Sequence, residues 1–305
     1  MLLDFTDCPK LDVRQYDGAS YKYAVLYNND VYLLKFEEYP RRKKNLSHTG
    51  HHISEHIGSQ IFKSMGLPTQ ETLLVKRGDK IAVACKDFRS PGIQINSFAG
   101  LIKRSSENAQ EDHLEDTLET IRTQKFLDKN LVMERYWNMF VVDAFIANTD
   151  RHNGNWSYLV NEFTNEVTLA PIYDCGSSLF PLLTEEDMSN CLKNESIMKQ
   201  LSSNEPCSTI RYKGAKINFL DFCRNYENSD FLAAVKRIVP RINMDNIKAI
   251  ITNTPVITDT RKEFLVNLLT LRKELLLEPA LKRAIKAEKE IPFTISKPIG
   301  KGMER

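Results

Sequence analysis

The sequence predicts an α+β chain of two unequal lobes: a small antiparallel β-rich lobe with one helix, then a larger, mainly helical lobe. Three observations predict it. The first 88 residues hold two strand–turn–strand patterns around one helical pattern. A breaker cluster, Arg89-Ser90-Pro91-Gly92, follows them and suits a connection between lobes. Beyond it, apolar residues recur mostly at helical spacing. The expected organisation is residues 1–88, residues 89–285 and a basic tail at 286–305.

Residues 21–27 and 31–36 are β-prone runs flanking Asn28-Asn29-Asp30, a hairpin signal. Residues 70–76 and 80–88 flank Arg77-Gly78-Asp79 in the same way. Between the hairpins, residues 53–65 carry apolar side chains at helical spacing, stopped by Gly66 and Pro68. In the second lobe, residues 131–147 read as a long apolar-rich helix running straight into Asn148. Residues 231–239, 244–252 and 261–277 read as further helices, with Asp259 as the N-cap of the last. The tail is rich in Lys, Pro and Gly, lacks a packing pattern, and is expected to be flexible or peripheral.

At 305 residues, with 42% apolar and 27% charged residues, the chain is long enough for a sizeable core and ordinary in composition. A formal charge of +2 points to neither nucleic acid nor a membrane surface, so direct nucleic-acid binding is not expected. The basic run Arg41-Arg42-Lys43-Lys44 and the acid-rich residues 111–119 read first as solvated surface and second as docking surface. The six cysteines form no C-x-x-C pair, which argues against a zinc ribbon or redox motif. Cys85 and Cys175 lie in apolar or glycine-containing runs and read as buried free thiols in a reducing compartment. The N-terminus has no signal-peptide pattern, and no stretch approaches the ~18 apolar residues of a membrane helix. The cytoplasm is the expected location.

Two segments carry the chemistry. Asn148-Thr149-Asp150-Arg151-His152-Asn153-Gly154-Asn155 places an acid and an amide five positions apart. Ile172-Tyr173-Asp174-Cys175-Gly176 holds a second acid followed closely by glycine. The residues between them form two β-prone runs around a polar centre, a hairpin folding near Phe163 to Asn165. That fold brings Asn155 beside Asp174. An amide oxygen next to a carboxylate suits a hard cation such as Mg²⁺. Asp150 is then free to orient a hydroxyl, which completes the set that phosphoryl transfer requires.

Other positions carry two readings each. Lys35, among Leu33, Leu34 and Phe36, is an outward edge-strand residue or a phosphate-directed ammonium. Glu55 lies seven residues before Phe62, on the same helical face, and a strand lysine with a helix glutamate favours the phosphate reading. Asp17-Gly18-Ala19-Ser20 is a short phosphate-covering loop or an ordinary turn, since it matches neither glycine-rich fingerprint. Cys85 lies in a strand ending at the lobe junction, where free backbone groups could pair with an adenine edge; a plain linker is the other reading. His48, His51, His52 and His56 cluster before and within the predicted helix. His52 and His56 have zinc spacing but no third ligand type nearby, and exposed histidines at a helix entrance are the commoner case. His152 is expected to hold its loop by hydrogen bonding.

Taken together, Asn148 to Asn155, residues 170–179, the Tyr32-Leu33-Leu34-Lys35-Phe36 strand and the Ser54-Glu55 helix resemble the HipA-like protein kinases. The short CtkA-type branch is nearest in length and layout. The resemblance runs from about residue 15 to about residue 275. It implies a bilobal protein-kinase-like fold and transfer of phosphate from ATP, with Mg²⁺, to Ser or Thr of a protein substrate, autophosphorylation included. It implies Asp150 as the catalytic aspartate, Asn155 and Asp174 as magnesium ligands, and Lys35 on the nucleotide phosphates with Glu55 behind it. Gly18, Ser20 and Cys85 would then face the nucleotide, with Ser20 the nearest candidate for autophosphorylation. A toxin–antitoxin setting, with an antitoxin-like partner of HipB type, is the further partner it implies, although the chain begins almost at the kinase lobe. The Asp-Arg-His-Asn-x-Asn string also resembles phosphatidylinositol 3- and 4-kinases, so a lipid or small-molecule kinase is the second reading. A nucleotide-binding pseudokinase acting through a partner is the third. Asp150, Asn155, Asp174 and Lys35 together argue against it, because a binding module needs no base.

Overall fold

The structure is a computed structural model that describes residues 2–11, 22–37, 49–102, 111–204 and 207–289. Its first sheet holds β1 (Leu3–Asp4), β2 (Lys10–Leu11), β3 (Lys22–Tyr27), β4 (Asp30–Phe36), β5 (Thr72–Arg77) and β6 (Lys80–Lys86) in the order β1-β5-β6-β4-β3-β2. Both expected hairpins are present. Asn28 and Asn29 turn the first with φ of 48° and 65°, the left-handed pair that matches strand twist. Gly78, at φ +59°, turns the second. The pairing is antiparallel except at β1, which runs parallel to β5. Helix α1 (His51–Ser64) connects β4 to β5 and lays Ile53, Ile57 and Ile61, one helical turn apart, into the core.

After Lys86 the chain leaves this sheet. Strand β7 (Ile93–Ser97) pairs with β8 (Ser157–Asn161), and β8 pairs with β9 (Val167–Leu169). The β8–β9 hairpin was expected, and Tyr158 opposite Leu169 centres it where the sequence places it. Helix α2 (Leu114–Thr123) precedes α3 (Lys129–Ile146). Asp128 caps α3 by accepting from the N–H groups of Asn130 and Leu131, worth about 1 kcal/mol. Every residue of α3 from Tyr136 to Ile146 is buried, so the helix is apolar all round rather than amphipathic. Around it stand α4 (Glu185–Lys193), α5 (Glu195–Ser203), α6 (Phe219–Asn225), α7 (Ser229–Ile238), α8 (Met244–Asn253), α9 (Asp259–Arg272) and α10 (Glu278–Lys289), with a ribbon of β10 (Cys207–Tyr212) and β11 (Ala215–Asn218).

Two expectations change here. The N-cap of α9 is Thr258, whose hydroxyl accepts from the Arg261 N–H; Asp259 is the first helical residue, where its charge still favours the helix start. The helix expected to stop at Leu277 instead passes through a π turn, Lys273–Leu277, into α10. Residues 286–289 of the expected flexible tail are therefore helical, and the remainder lies outside the described residues. One large core joins α1, the inner sheet face and the helices, and a smaller one, with Phe5, Tyr32, Leu34 and Phe36, lies on the sheet's other face. No described helix is long and apolar enough to cross a membrane.

Candidate active site

Helix α3 ends at Ala147, whose left-handed φ of 56° swings the chain into the loop that bears Asp150. Side chains then fix that loop. Asn148 Nδ2 donates to Asp143 Oδ1 at 2.8 Å. Arg151 Nε donates to Asp143 Oδ2 at 2.9 Å. The same guanidinium donates to the Asn155 carbonyl at 2.8 Å, to the Tyr173 carbonyl and to Cys175 Sγ. Burial works against charge on both partners: it raises the Asp143 pKa against the pull of Arg151, while on Arg151 the Asp143 carboxylate outweighs it and holds the guanidinium protonated. A buried pair is tolerable when its remaining donors also find partners, as Arg151's do. Asn153, fully buried, donates its backbone N–H to Asp112 at 2.6 Å and its side-chain amide to Thr117 at 2.9 Å. His152 Nδ1 accepts from the Gly154 N–H at 3.0 Å, so this histidine does hold its loop. Asn155 Nδ2 donates to the Asp150 carbonyl at 2.9 Å. Asp150 itself is open to solvent. Its carboxyl pKa is raised, first by partial desolvation, with Asp174 adding to the rise and His152 and Arg151 opposing it.

The second loop hangs from the connection between α1 and β5. Ile172 donates to the Pro68 carbonyl and accepts from the Gln70 N–H, both at 2.8 Å. Asp174 follows at φ 61°, a left-handed conformation that Asp and Asn tolerate better than most residues. Glu55, 1% exposed, divides its carboxylate between two donors. Its Oε1 accepts from the Cys175 N–H at 3.1 Å, and its Oε2 accepts from Lys35 Nζ at 2.9 Å. Lys35 also donates to Asp174 Oδ1 at 3.2 Å. Desolvation opposes the charge of Lys35, but Glu55 and Asp174 carry its pKa well above the usual lysine range. Lys35 in turn is the main cause of the lowered pKa of Asp174. Glycines permit this closeness: a Cβ on Gly58 would lie 2.7 Å from Cys175 Cβ, and one on Gly176 3.3 Å from Glu55 Oε2.

The structure thus joins Lys35, Glu55 and Asp174 in one ion-paired chain and Asp150 with Asn155 in one loop. Arg151 stitches the two loops together through the carbonyls of Asn155 and Tyr173. Strand β4 lies between β3 and β6, so Lys35 is not on an edge strand. The expectation of free backbone groups at Cys85 fails, because Cys85 lies opposite Leu33 on one side and Thr72 on the other, and is wholly buried. Pairing continues past it, since the Lys86 N–H donates to Glu71 and the Asp87 N–H to Val31. Gly18, Ser20 and His48 lie outside the described residues. The zinc reading of the histidines finds no support: His56 Nδ1 lies 3.1 Å from Thr72 Oγ1, and no group of three or more His, Cys, Asp or Glu among the described residues is arranged to hold a metal. Magnesium asks for less. An amide and a carboxylate oxygen suit an ion that retains waters and phosphate ligands. Sequence reasoning missed Asp143, Asn153 and Asp112. An aspartate inside the apolar run Val141-Val142-Asp143-Ala144-Phe145 was the available signal for the first.

Residues 13–244 match the family model of the HipA-like C-terminal domain. The chain is 37% identical over 288 residues to the serine/threonine-protein kinase CtkA of Helicobacter pylori strain J99, covering 93% of this chain and 89% of that one. The crystal structure of an H. pylori proinflammatory kinase CtkA superposes with a TM-score of 0.89 at 36% identity, covering 94% of this chain and 99% of that one. HipA of Shewanella oneidensis MR-1, solved with HipB and operator DNA, superposes with a TM-score of 0.50 at 14% identity, covering 91% of this chain and 65% of that one. That last likeness is one of fold alone.

Proposed function

This chain belongs to the HipA-like C-terminal domain family, and we propose that it is a Mg²⁺-dependent protein kinase that moves the γ-phosphoryl group of ATP to serine or threonine hydroxyls, its own included. The observation that supports the reading is the Lys35–Glu55–Asp174 chain, which sets an ammonium beside a carboxylate close enough to Asp150 to raise its pKa. We assign residues 1–88 to the nucleotide-side lobe and residues 89–285 to the lobe that carries both loops. Lys35 would meet the nucleotide phosphates, and Asn155 and Asp174 would hold the cation. Mg-ATP supplies the phosphoryl group and much of the charge neutralisation. Glu55 keeps Lys35 protonated and aimed. Asp150 would orient the acceptor hydroxyl and take its proton as that oxygen bonds to the γ-phosphorus and the bond from phosphorus to the β,γ-bridging oxygen breaks, releasing ADP; a carboxylate suffices where the transition state is loose. Arg151 keeps the two loops at a fixed spacing, which is the positioning such a reaction needs.

The test is mass spectrometry of the purified protein after incubation with Mg-ATP, alone and with a cell lysate. Phosphoserine or phosphothreonine on the chain or on lysate proteins is expected. Transfer to phosphoinositide vesicles alone would overturn the protein-kinase reading, and nucleotide binding without transfer to either would turn the assignment toward a pseudokinase.

A further inference from the structure

We propose that Arg272 is a positioning residue for phosphoryl transfer, its guanidinium joining the C-terminal ends of α3 and α5 so that α3 delivers the Asp150 loop at a fixed height. The proposal rests on the kinase reading above and adds to it a residue far from the cleft in sequence. Arg272 is 0% exposed, one of the largest side chains wholly inside the protein. Its Nε donates to the carbonyls of Ala144 and Phe145 at 3.1 and 3.0 Å, its Nη2 to Ala144 and its Nη1 to Ser202. None of these partners is a carboxylate. A buried cation without an acid is normally strongly destabilising. Here the balance comes from backbone. Ala144 and Phe145 are in the last turn of α3, and Ser202 is in the last turn of α5. Each helix end carries roughly half a negative charge, so two of them come to about one. The face of Phe219, 5.8 Å from the guanidinium carbon, adds a cation–π contact. Burial lowers the Arg272 pKa to about 9, which leaves it charged at neutral pH.

The placement follows from phase. Leu268, Arg272, Leu276 and Ala280 recur every four residues and are all buried, so Arg272 occupies a place on the inner stripe that leucines otherwise fill. The end of α3 that it grips is a junction. The Asp143 carbonyl accepts from the N–H groups of Ala147 and Asn148, which open the base loop. The Ile146 carbonyl accepts from the Leu179 N–H at 2.9 Å, toward the far end of the loop that begins at Asp174. Arg272 takes the carbonyls of Ala144 and Phe145 between them. Axial drift of α3 would therefore move Asp150 relative to Asp174 without removing a group from either loop.

The experiment uses the full chain and four proteins: wild type, Arg272→Met, Arg272→Lys and Arg272→Ala. Autophosphorylation gives kcat and KM for ATP, thermal unfolding gives stability, and hydrogen exchange gives protection at residues 147–155. Arg272→Met is expected to lower kcat between about tenfold and a hundredfold, the range for displacement without loss of a catalytic group, with KM for ATP held within about twofold. Exchange at residues 147–155 should rise. In Arg272→Ala, guanidinium ion below denaturing concentrations should restore rate, while the same ionic strength of sodium chloride should not. A folded Arg272→Met with wild-type kcat, or slowed turnover with unchanged protection at 147–155, would overturn the proposal. If the methionine variant does not fold, the lysine variant decides: a lowered kcat supports the two-helix grip, and a wild-type kcat refutes it. A wild type that phosphorylates nothing would sink the kinase reading instead, and loop protection would still test Arg272.

Discussion

The loop proposed to carry the base and the loop proposed to carry the metal ligand, here the base loop and the metal loop, are joined by Arg151 but held in different ways. From Asn148 to Asn155 no residue has a positive φ, and the loop is fastened by the buried side chains of Asp143, Thr117 and Trp156 and by the half-buried Asp112. From Asp174 to Phe180 three non-glycine residues are left-handed, Asp174, Leu179 and Phe180, at 61°, 59° and 54°. Such conformations cost on the order of 1–3 kcal/mol each and persist only where the surroundings over-determine them. Those surroundings are largely elsewhere in the chain: Glu55, Lys35 and Gly58 from α1 and β4, and the end of α3. The base loop is fastened to α2, α3 and β10, whereas the metal loop reports where α1 stands. Perturbing α1 should therefore disturb cation handling before it disturbs hydroxyl activation.

The largest effect expected is that of Asp174→Ala. It removes the one carboxylate assigned to the cation and should slow transfer roughly a thousandfold or more, beyond rescue by excess Mg²⁺, with the thermal unfolding midpoint little changed. A near-normal autophosphorylation rate would remove Asp174 from the site. Next is Asp150→Asn, which keeps shape and loses basicity. It should bind Mg-ATP with nearly unchanged affinity and transfer at least about a hundredfold more slowly. Measured on one sample, a parallel loss of binding and rate would instead assign Asp150 to the nucleotide site or the fold. Gly58→Ala sharpens the comparison between the loops. The new Cβ would sit 2.7 Å from Cys175 Cβ, an overpacking that costs about 1–3 kcal/mol. The Mg²⁺ concentration for half-maximal rate should rise, while exchange protection at residues 148–155 stays at the wild-type level. Equal loosening of both loops would contradict the distinction.

The smallest effect is set by pH. Burial lowers the His56 pKa from 6.5 to about 4. The unfolded chain takes up that proton near pH 6.5, and the folded chain only near 4. Below 6.5 the unfolded state therefore binds more protons, and the His56 contribution to stability falls as pH drops from about 6.5 to about 4. Above that window it is level. Urea unfolding midpoints at pH 7.5 and 5 should show the loss in wild type and a smaller one in His56→Gln.

The parts of the fold that were legible had punctuation or periodicity. Asn28-Asn29 and Gly78 announced the hairpins, and the apolar run of α3 announced the buried helix. The span between residues 180 and 228 carries no clear signal in the sequence, although it holds α4, α5, β10, β11 and α6. Its elements are short and polar, so periodicity is weak. The capping box of Thr184 with Asp187 was the local sign that could have placed α4. Lys35, Glu55, Asp150, Asn155 and Asp174, the residues proposed for the site, could be singled out because their spacing is local or their residue types are few. The Asp143–Arg151 pair and the two-helix grip of Arg272 could not, because each depends on a tertiary approach that spacing does not encode. Cys85 was misplaced for a related reason: the strand end was read correctly as near, but the ladder on both sides of it was not visible.

Glu55 has one consequence for substitution chemistry. Its two oxygens face Lys35 Nζ and the Cys175 N–H, and both of those groups are donors. An isosteric glutamine must turn its NH₂ toward one of them. Flipping the amide only exchanges which contact becomes donor against donor. Aspartate keeps the chemistry but is one methylene short of spanning from α1 to both partners. The position thus excludes the amide by valence and the shorter acid by reach, and only a carboxylate at glutamate length satisfies both contacts at once.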